Sequence, residues 1–426
     1  MTIGKKRFSN LYLVFLALTI YSPNLQVFDR MAIQNLLISS VNFLALISIP
    51  FVFNIKDFTK QVKHPIFLIY CGYLFFALLS MTKSINIVES FVRLGQLLNF
   101  AISLLIIIFI SKQKLVKMNT VLIIILVSIL LDMFFSLINY VPFVTNGIPY
   151  QYDQNTKLVG IHGNRNILAT VLFFKIPFVV ILASRLKKSY VSIIAFIITT
   201  IAFFNISLLS SRATYLAIII CSIILIFSYV FSYVKKLKIK SYGMLLYFLP
   251  LFIAYFMSTN AIDSADQGDV INRVSTITST DDTSKNTRLR YYSHSIEHTL
   301  KNPFLGGGIG NWKILSIKYD AENIENYVIP YNAHNDILEA SAETGVIGGL
   351  FFLASFLIIF YYLINMLKKN LYSENNFFYF MLVLPFIIYF IDLNLNFPSS
   401  RPVNLVFYLL YISIIITSKN DMDEKQ

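Results

Sequence analysis

The segment 331–339, with the sequence YNAHNDILE, contains the residue type best suited to proton transfer. A histidine such as His334 titrates near neutral pH, so its imidazole can take a proton from a substrate hydroxyl group. Asn332, Asn335 and Glu339 stand close to it in the sequence and can bind a polar substrate. The segment therefore predicts a general base. The alternative is a histidine that only caps or packs a helix.

The apolar spacing of the same region predicts a helix from about 333 to 344. In that helix His334, Ile337, Leu338 and Ser341 follow the i, i+3, i+4, i+7 rule and would share one face. The helix ends at Gly345, where a long apolar run begins. This order places the histidine at a membrane surface, next to the start of a membrane span.

Three arginines form a second group of candidates. Arg212 lies in SSRAT, at the start of a long apolar run, while Arg288 and Arg290 lie in TRLRYY beside aromatic residues. A planar guanidinium can hold a phosphate group through two parallel hydrogen bonds. The three residues therefore predict binding of an anionic substrate such as a pyrophosphate. The alternatives are an interface anchor for Arg212 and a solvated helix face for the other two.

A turn-rich segment, GIHGNRN at 160–166, forms a third group, in which Asn164 and Asn166 can hydrogen-bond a sugar. The alternative is a plain turn. The glycines at 306–308 are not a dinucleotide-binding motif, because no strand–helix–strand unit surrounds them. Charged residues inside apolar runs are treated as structural: Glu89 and Arg93 could pair across one helical turn, and Asp132 and Lys175 could join neighbouring spans.

The elements that must position these residues follow from composition. The chain has 426 residues, of which 56% are hydrophobic and 13% charged. Soluble proteins carry about 25% charged residues, so a soluble enzyme is excluded, and the apolar, aromatic-rich composition excludes disorder. Apolar runs of about 18 residues or more can cross a bilayer. We therefore predict one integral membrane domain, 1–426, of the all-α polytopic class, with about twelve transmembrane helices and one large extracytoplasmic loop carrying short helices.

The twelve predicted spans are 9–28, 33–53, 65–81, 86–110, 119–141, 166–184, 189–207, 210–232, 242–258, 345–366, 376–392 and 402–417. With the N-terminus inside, 20 of the 35 Lys and Arg residues fall on short inside segments, whereas the short outside loops hold isolated ones such as Arg30, Lys83 and Arg401. This is the positive-inside pattern. It predicts an inner-membrane protein with both termini in the cytoplasm, and it accounts for the net charge of +13 without nucleic acid.

All three groups of candidates lie on the outside in this topology. The large loop, 259–344, holds 12 acidic and 7 basic residues and is therefore net negative. The two cysteines, Cys71 and Cys221, stand inside apolar runs and offer no metal-binding spacing. The arrangement suits an anionic, lipid-linked substrate that reaches the site from the outer leaflet, and no cofactor or metal is predicted.

Five motifs in this order resemble the O-antigen ligase and polymerase superfamily of bacterial envelopes. They are GNRN at 163–166, SRA at 211–213, PFLGGGIGNW at 303–312, AHNDILE at 333–339 and ETGVIGG at 343–349. The resemblance covers roughly 160–365 together with the twelve-span layout. It implies a periplasmic, metal-independent and inverting glycosyl transfer from undecaprenyl pyrophosphate to an acceptor hydroxyl.

The resemblance also implies roles for single residues. His334 matches the catalytic histidine of the family, and Arg212 and Arg288 match the two arginines that hold the pyrophosphate. The family often has tryptophan four residues after the loop arginine, where this chain has Tyr292, so Arg290 could share or replace the role of Arg288.

Several functions share this chemistry. The first interpretation is a ligase that transfers a glycan to lipid A–core. A polymerase of O-antigen or capsule repeat units and an O-linked protein oligosaccharyltransferase are alternatives. A transporter of lipid-linked glycans belongs to a different class. It would favour inverted repeats and charged residues at mid-membrane, and the sequence has no internal repeat.

Overall fold

The computed structural model describes residues 2–23, 29–148, 150–237, 242–262, 270–275, 283–324 and 329–423. Within these ranges the chain forms α-helices joined by turns and short 3-10 helices, and no β-strand. In chain order the helices are α1 (Thr2–Leu18), α2 (Arg30–Val52), α3 (Ile55–Thr59), α4 (Pro65–Ser80), α5 (Ile87–Lys112), α6 (Met118–Leu137), α7 (Val141–Thr145), α8 (Arg165–Leu186), α9 (Ser189–Leu209), α10 (Arg212–Val234), α11 (Tyr242–Ala261), α12 (Val270–Ser275), α13 (Thr283–Lys301), α14 (Trp312–Asp320), α15 (Asp336–Asn370), α16 (Asn376–Leu395) and α17 (Pro402–Asp423).

Eleven helices of the described ranges are long and apolar enough to cross a bilayer, namely α2, α4, α5, α6, α8, α9, α10, α11, α15, α16 and α17. Each corresponds to one of the predicted spans, with bounds that differ by six residues or fewer, except that α15 begins nine residues before the predicted span 345–366. The all-α polytopic membrane fold is thus confirmed. The exception is the first predicted span, 9–28: α1 begins earlier, at Thr2, and has 17 residues before a 3-10 turn at Thr19–Tyr21. Placing both termini on one side requires α1 to be a twelfth span, which stays a prediction.

The chain divides into two compact units. The first contains residues 1–117, 281–362 and 393–426. In this unit α17 packs along α5, and α5 also packs on α2 and α4. Ser111 on α5 and Ser413 on α17 share a buried hydrogen bond of 2.9 Å, which pairs two polar groups inside an apolar interface.

The second unit contains residues 118–280 and 363–392. Its central helix is α8, which is apolar and buried around nearly its whole circumference. Helices α6, α9, α10 and α11 surround it. A helix that is apolar on every side is stable only where neighbours cover it, so α8 is the core of this unit.

The helix α15 contains a break that shapes the outer surface of the first unit. Gly345 has φ +79° and ψ 173°, far from helical values, and separates a short segment, 336–344, from the apolar run that follows. A side chain at Gly345 would collide with the Phe304 backbone. Only glycine adopts this conformation freely, so the ETG motif marks the start of the membrane span proper.

Candidate functional site

The segment 333–335 lies just before α15 instead of within it. The Asn335 side chain accepts hydrogen bonds from the backbone of Ile337 and Leu338, both at 3.1 Å, and so caps a helix that begins at Asp336. His334 precedes this cap in the left-handed region, at φ +57°. The predicted helical face shared by His334, Ile337, Leu338 and Ser341 is therefore wrong. The asparagine competes with the backbone for the first amides and stops the helix there.

Two aromatic rings hold the imidazole of His334. Tyr291 stacks on it with ring centroids 6.2 Å apart, and Phe397 meets it edge-on at 5.3 Å. The Nδ1 atom is buried and has no hydrogen-bond partner among the described residues. A buried polar atom without a partner is costly, and such atoms are concentrated at functional sites. The ring is thus fixed in orientation while one nitrogen stays uncommitted.

The surroundings of His334 keep its imidazole neutral. Burial among these rings and the nearby Arg288 guanidinium lower the pKa of His334 to about 4, and a hydrogen bond with the backbone at Leu395 acts in the opposite direction. The neutral ring is therefore the form present at neutral pH, and it carries a lone pair that can accept a proton. The ordinary histidine pKa near 6.5, which the sequence alone suggests, does not apply to this buried ring.

One face of α13 supplies the neighbours of His334. Arg288 and Tyr292 lie one helical turn apart on it. The Tyr292 hydroxyl lies 3.1 Å from the backbone oxygen of His334 and 2.5 Å from that of Asn394. Tyrosine at this position therefore supports the histidine loop through its hydroxyl, which a tryptophan could not do in this way.

Arg290 lies in a different environment from Arg288. Its guanidinium makes two hydrogen bonds, of 2.7 and 3.3 Å, with the carboxylate of Asp320 at the end of α14. It also lies over the Tyr291 ring, 5.7 Å from the centroid. A two-pronged pair of this kind occupies the fork that a phosphate would use. In this arrangement Arg290 holds α13 against α14, and Arg288 is the loop arginine beside His334.

Three carboxyl groups on the first turns of α15, two of them buried and that of Glu339 half-buried, each hold a different loop. Glu339 accepts a hydrogen bond of 2.7 Å from the Ala333 backbone, directly before the histidine. Asp336 accepts one of 2.8 Å from Ser399, in the loop that carries Phe397. Glu343 accepts one of 3.0 Å from the Trp312 backbone. The short helix thus gathers the segments around His334. The structure places Glu339 in this support, while Asn332 is half-buried in the turn before it.

Arg93 is a cation that interacts electrostatically with this group of carboxyl side chains. Its guanidinium lies 3.0 Å from Gln96 and 3.4 Å from both the carbonyl and the hydroxyl of Ser399. The pairing of Glu89 with Arg93 does not form, since Glu89 instead binds Lys313 on α14. Arg93 and Ser399 are 306 residues apart in the sequence, so spacing along the chain carries no signal for this contact.

The glycine-rich segment 306–310 covers the end of the short helix. The amides of Gly307 and Gly308 donate hydrogen bonds of 2.9 and 3.0 Å to the carbonyls of Ala342 and Glu343. These carbonyls have no partner within the helix, because it breaks at Gly345. A side chain at Gly306 would collide with the same backbone. The glycines therefore allow close backbone contact, and they position the helix that follows His334.

Arg212 lies in the second unit, at the start of α10. The preceding Ser210 has φ +51° and ends α9, so the arginine begins its helix directly after a tight turn. Below it the Thr214 hydroxyl donates to Ser211 at 3.1 Å and lies 3.3 Å from Thr170. Thr170 in turn donates to the buried Asp392 at 3.2 Å. Asp392 is a supporting residue that the sequence analysis missed.

The other predicted residues of the second unit have structural contacts. Asn164 caps α8 by accepting hydrogen bonds from Asn166 at 2.8 Å and Ile167 at 3.4 Å. The neighbouring His162 is buried and lies 3.1 Å from the Asp132 carboxylate. Asp132 also pairs with the fully buried Lys175. The structural role expected of Asp132 and Lys175 thus includes a histidine that the sequence did not connect with them.

No group of three or more His, Cys, Asp and Glu side chains is arranged to hold a metal ion in the part of the chain that the structure describes. The carboxylates of α15 point to separate loops. The neutral imidazole of His334 is a group that can accept a proton, and the Arg288 guanidinium near it is a group that can stabilise negative charge.

Comparison with known families is consistent with this chemistry. Residues 194–353 match the O-antigen ligase family. The match confirms the resemblance to the O-antigen ligase and polymerase superfamily. The segment contains Arg212, Arg288, Arg290 and His334, but it ends before the loop that carries Phe397. No curated protein sequence matches the chain.

Together with the eleven apolar helices, the match supports a multi-pass membrane enzyme of the O-antigen ligase or polymerase type. This family implies a glycosyltransferase-like activity on lipid-linked glycans.

Proposed function

We propose that the protein is a ligase that transfers a glycan from undecaprenyl pyrophosphate to a hydroxyl group of lipid A–core. One observation supports this most directly. The neutral imidazole of His334 has a buried Nδ1 atom without a partner in the described residues, and the Arg288 charge lies close to it. A neutral base next to a fixed cation fits the attack of a hydroxyl on a sugar with an anionic leaving group.

The proposed reaction is a single displacement. The His334 imidazole takes the proton of the acceptor hydroxyl as its oxygen bonds to C1 of the donor sugar. The bond between C1 and the pyrophosphate oxygen breaks on the opposite face, and the leaving group keeps the electron pair. The anomeric centre is therefore inverted. The imidazolium then returns its proton to water.

Arg288 has two effects in this scheme. It stabilises the charge that develops on the pyrophosphate as the bond breaks. Because its own charge lowers the pKa of His334, a bound pyrophosphate offsets that effect and makes the imidazole more basic. Donor binding thus prepares the base. Arg212 is assigned to the pyrophosphate on the family resemblance alone.

The same chemistry fits a repeat-unit polymerase of O-antigen or capsule, or a protein oligosaccharyltransferase, and only the acceptor differs. The test uses purified protein in proteoliposomes with an undecaprenyl-pyrophosphate-linked glycan. Lipid A–core, a second lipid-linked glycan and an unfolded protein are supplied separately as acceptors. We expect glycosylated lipid A–core with an inverted linkage, and no product with His334→Gln. Growth of the glycan on the polyprenyl lipid would instead establish a polymerase.

The proposed location of the reaction is the periplasmic side of the inner membrane, with both termini in the cytoplasm. A cysteine at Leu300, which is 73% exposed on α13, tests it in a background with Cys71→Ser. We expect an impermeant thiol reagent to label this cysteine in intact spheroplasts. Labelling only after lysis would place α13 in the cytoplasm and contradict the proposed site.

A further inference from the structure

The strongest unexplained feature of the first unit is Arg401, at the end of the loop 396–401. The segment lies outside the residues matched by the family, and the sequence analysis gave Arg401 no role beyond an isolated outside charge. Its guanidinium lies over the Phe397 ring, 5.0 Å from the centroid. The same ring meets the imidazole of His334. One phenyl ring thus separates a cation from the proposed base.

The charge of Arg401 is poorly compensated. Its Nη1 atom lies 3.3 Å from the Met31 sulfur, which is a weak acceptor. In the described residues it forms no ion pair with a carboxylate. Burial lowers the pKa of Arg401, and the more distant Asp29 opposes this only in part. A guanidinium that is partly removed from water and has only a weak hydrogen-bond acceptor is expected to bind an anion.

A second arginine, Arg30, is the sequence neighbour of Met31. Arg30 directly precedes Met31 at the beginning of α2. One of its terminal nitrogens donates to the Ser22 carbonyl at 2.9 Å. Its Nε atom is buried and has no partner within the described residues. Arg30 therefore has an unused donor, and it is the sequence neighbour of Met31, which Arg401 contacts.

The loop that carries Arg401 is held in place. The Ser399 amide donates to Asp336, the Arg93 guanidinium holds the other polar atoms of Ser399, and the Arg401 amide donates to the Pro398 carbonyl at 3.1 Å. A cation on such a fixed loop loses little further freedom when a ligand binds. The arrangement has the properties of a prepared binding site.

We propose that Arg401 binds a phosphate group of the lipid acceptor and so presents the acceptor hydroxyl to His334. This rests on the proposed transfer reaction. Arg288 lies near His334 on α13 and is assigned to the donor. Arg401 belongs to a different loop and is separated from His334 by the Phe397 ring. Lipid A–core and a polyprenyl-linked glycan both carry phosphate, but a protein acceptor does not. Arg401 therefore selects a phosphorylated lipid as the acceptor class.

The test measures binding, so it does not depend on transfer. Purified protein in nanodiscs is titrated with lipid A, with lipid A after removal of its phosphates, with undecaprenyl phosphate and with inorganic phosphate. We expect Arg401→Gln to weaken binding of the phosphorylated acceptor lipid about 10- to 150-fold, the size of a lost charge-assisted contact. Binding of dephosphorylated lipid A should not change. The lipid that responds identifies the acceptor as lipid A or as a polyprenyl phosphate.

The matched control is Lys83→Gln, which removes an exposed cation of another predicted outside loop and should leave every affinity unchanged. Arg401→Lys keeps the positive charge and the aliphatic part of the side chain. It replaces Arg401→Gln in the binding test if that variant does not insert into the membrane. We expect it to bind the phosphorylated acceptor lipid with intermediate affinity. Equal affinities for wild type and both Arg401 variants would overturn the proposal, as would an equal loss in Lys83→Gln. Inorganic phosphate binding as tightly as the lipids would also contradict it. Failure of His334→Gln to affect transfer would instead contradict the proposed function.

Discussion

Two histidines of this protein occur in similar sequence contexts and have opposite surroundings. His162, in the second unit, and His334, in the first, both come shortly before an asparagine that caps a long helix. His162 lies 3.1 Å from the buried carboxylate of Asp132. His334 has aromatic rings on two sides and an Nδ1 atom without a partner in the described residues.

The difference shows what separates a structural histidine from a reactive one. A buried imidazole that is bonded to a carboxylate contributes to folding, and removing it takes away one of the hydrogen-bond partners of that buried carboxylate. A buried imidazole with an uncommitted nitrogen, held at φ +57°, is itself unfavourable for stability. A role of the uncommitted nitrogen in acting on a substrate would explain why this unfavourable arrangement is present. We therefore expect substitutions at the two histidines to affect different quantities.

The largest expected effect is on catalysis at His334. His334→Gln keeps a hydrogen-bonding side chain but removes the base, so kcat should fall about 10²- to 10⁴-fold. The thermal midpoint should stay close to the wild-type value. His162→Gln is the matched variant, and it should lower the thermal midpoint while kcat per folded molecule stays unchanged. Transfer assays and thermal unfolding of both purified proteins test this. Activity in His334→Gln would show that this residue only positions the acceptor.

The second effect concerns stability around His162. Asp132→Asn leaves the ammonium of Lys175 buried without its counter-charge, which costs about 3–5 kcal/mol. The double variant Asp132→Asn with Lys175→Met removes both charges and should recover much of the loss. Urea titration of the detergent-solubilised proteins measures the difference in the free energy of unfolding. If the single variant is as stable as wild type, the Asp132 group is not the anchor of the second unit.

Much of this architecture follows from the sequence. Apolar runs and positive charges at their ends predict the spans, because hydropathy depends on local composition and the bilayer leaves few alternatives to a helix. The first span is the exception, since α1 includes the cationic cluster at its start. The start of α15 was predicted three residues early, because periodicity carries no information about a capping side chain.

The site could be predicted only in part. The sequence identifies His334, Arg288 and Arg212 by type and motif, but it could not separate Arg288 from Arg290. That distinction depends on Asp320, which lies 30 residues from Arg290 and meets it only after the loop folds. The contact between Phe397 and His334 joins residues more than 60 positions apart, and Arg401 approaches the histidine only through that ring. No local pattern reports such pairs.

A smaller effect on kcat is expected from loss of the hydrogen bond that Glu339 makes with the loop of His334. Glu339→Ala removes the acceptor of the Ala333 amide and should lower kcat about tenfold, the upper end for a typical single hydrogen bond of about 1.5 kcal/mol. Glu339→Gln keeps an acceptor oxygen at the same place and should restore most of the rate. Steady-state kinetics of the two variants decide between them. Equal losses in both would mean that the charge of Glu339 matters, and not the bond to the loop.

The smallest effect is a change in pH dependence. The base is active when it is neutral, so kcat/KM should fall as the pH drops through the pKa of His334, which is about 4 in the free protein. The wild-type rate should therefore stay flat between pH 7 and about pH 5. Arg288→Gln removes a positive charge that lowers this pKa, so the acid limb should move to higher pH. A pH profile of kcat/KM for both proteins measures the shift. An acid limb that stays in place would show that burial alone keeps His334 neutral, in contrast to a base that responds to the charge beside it.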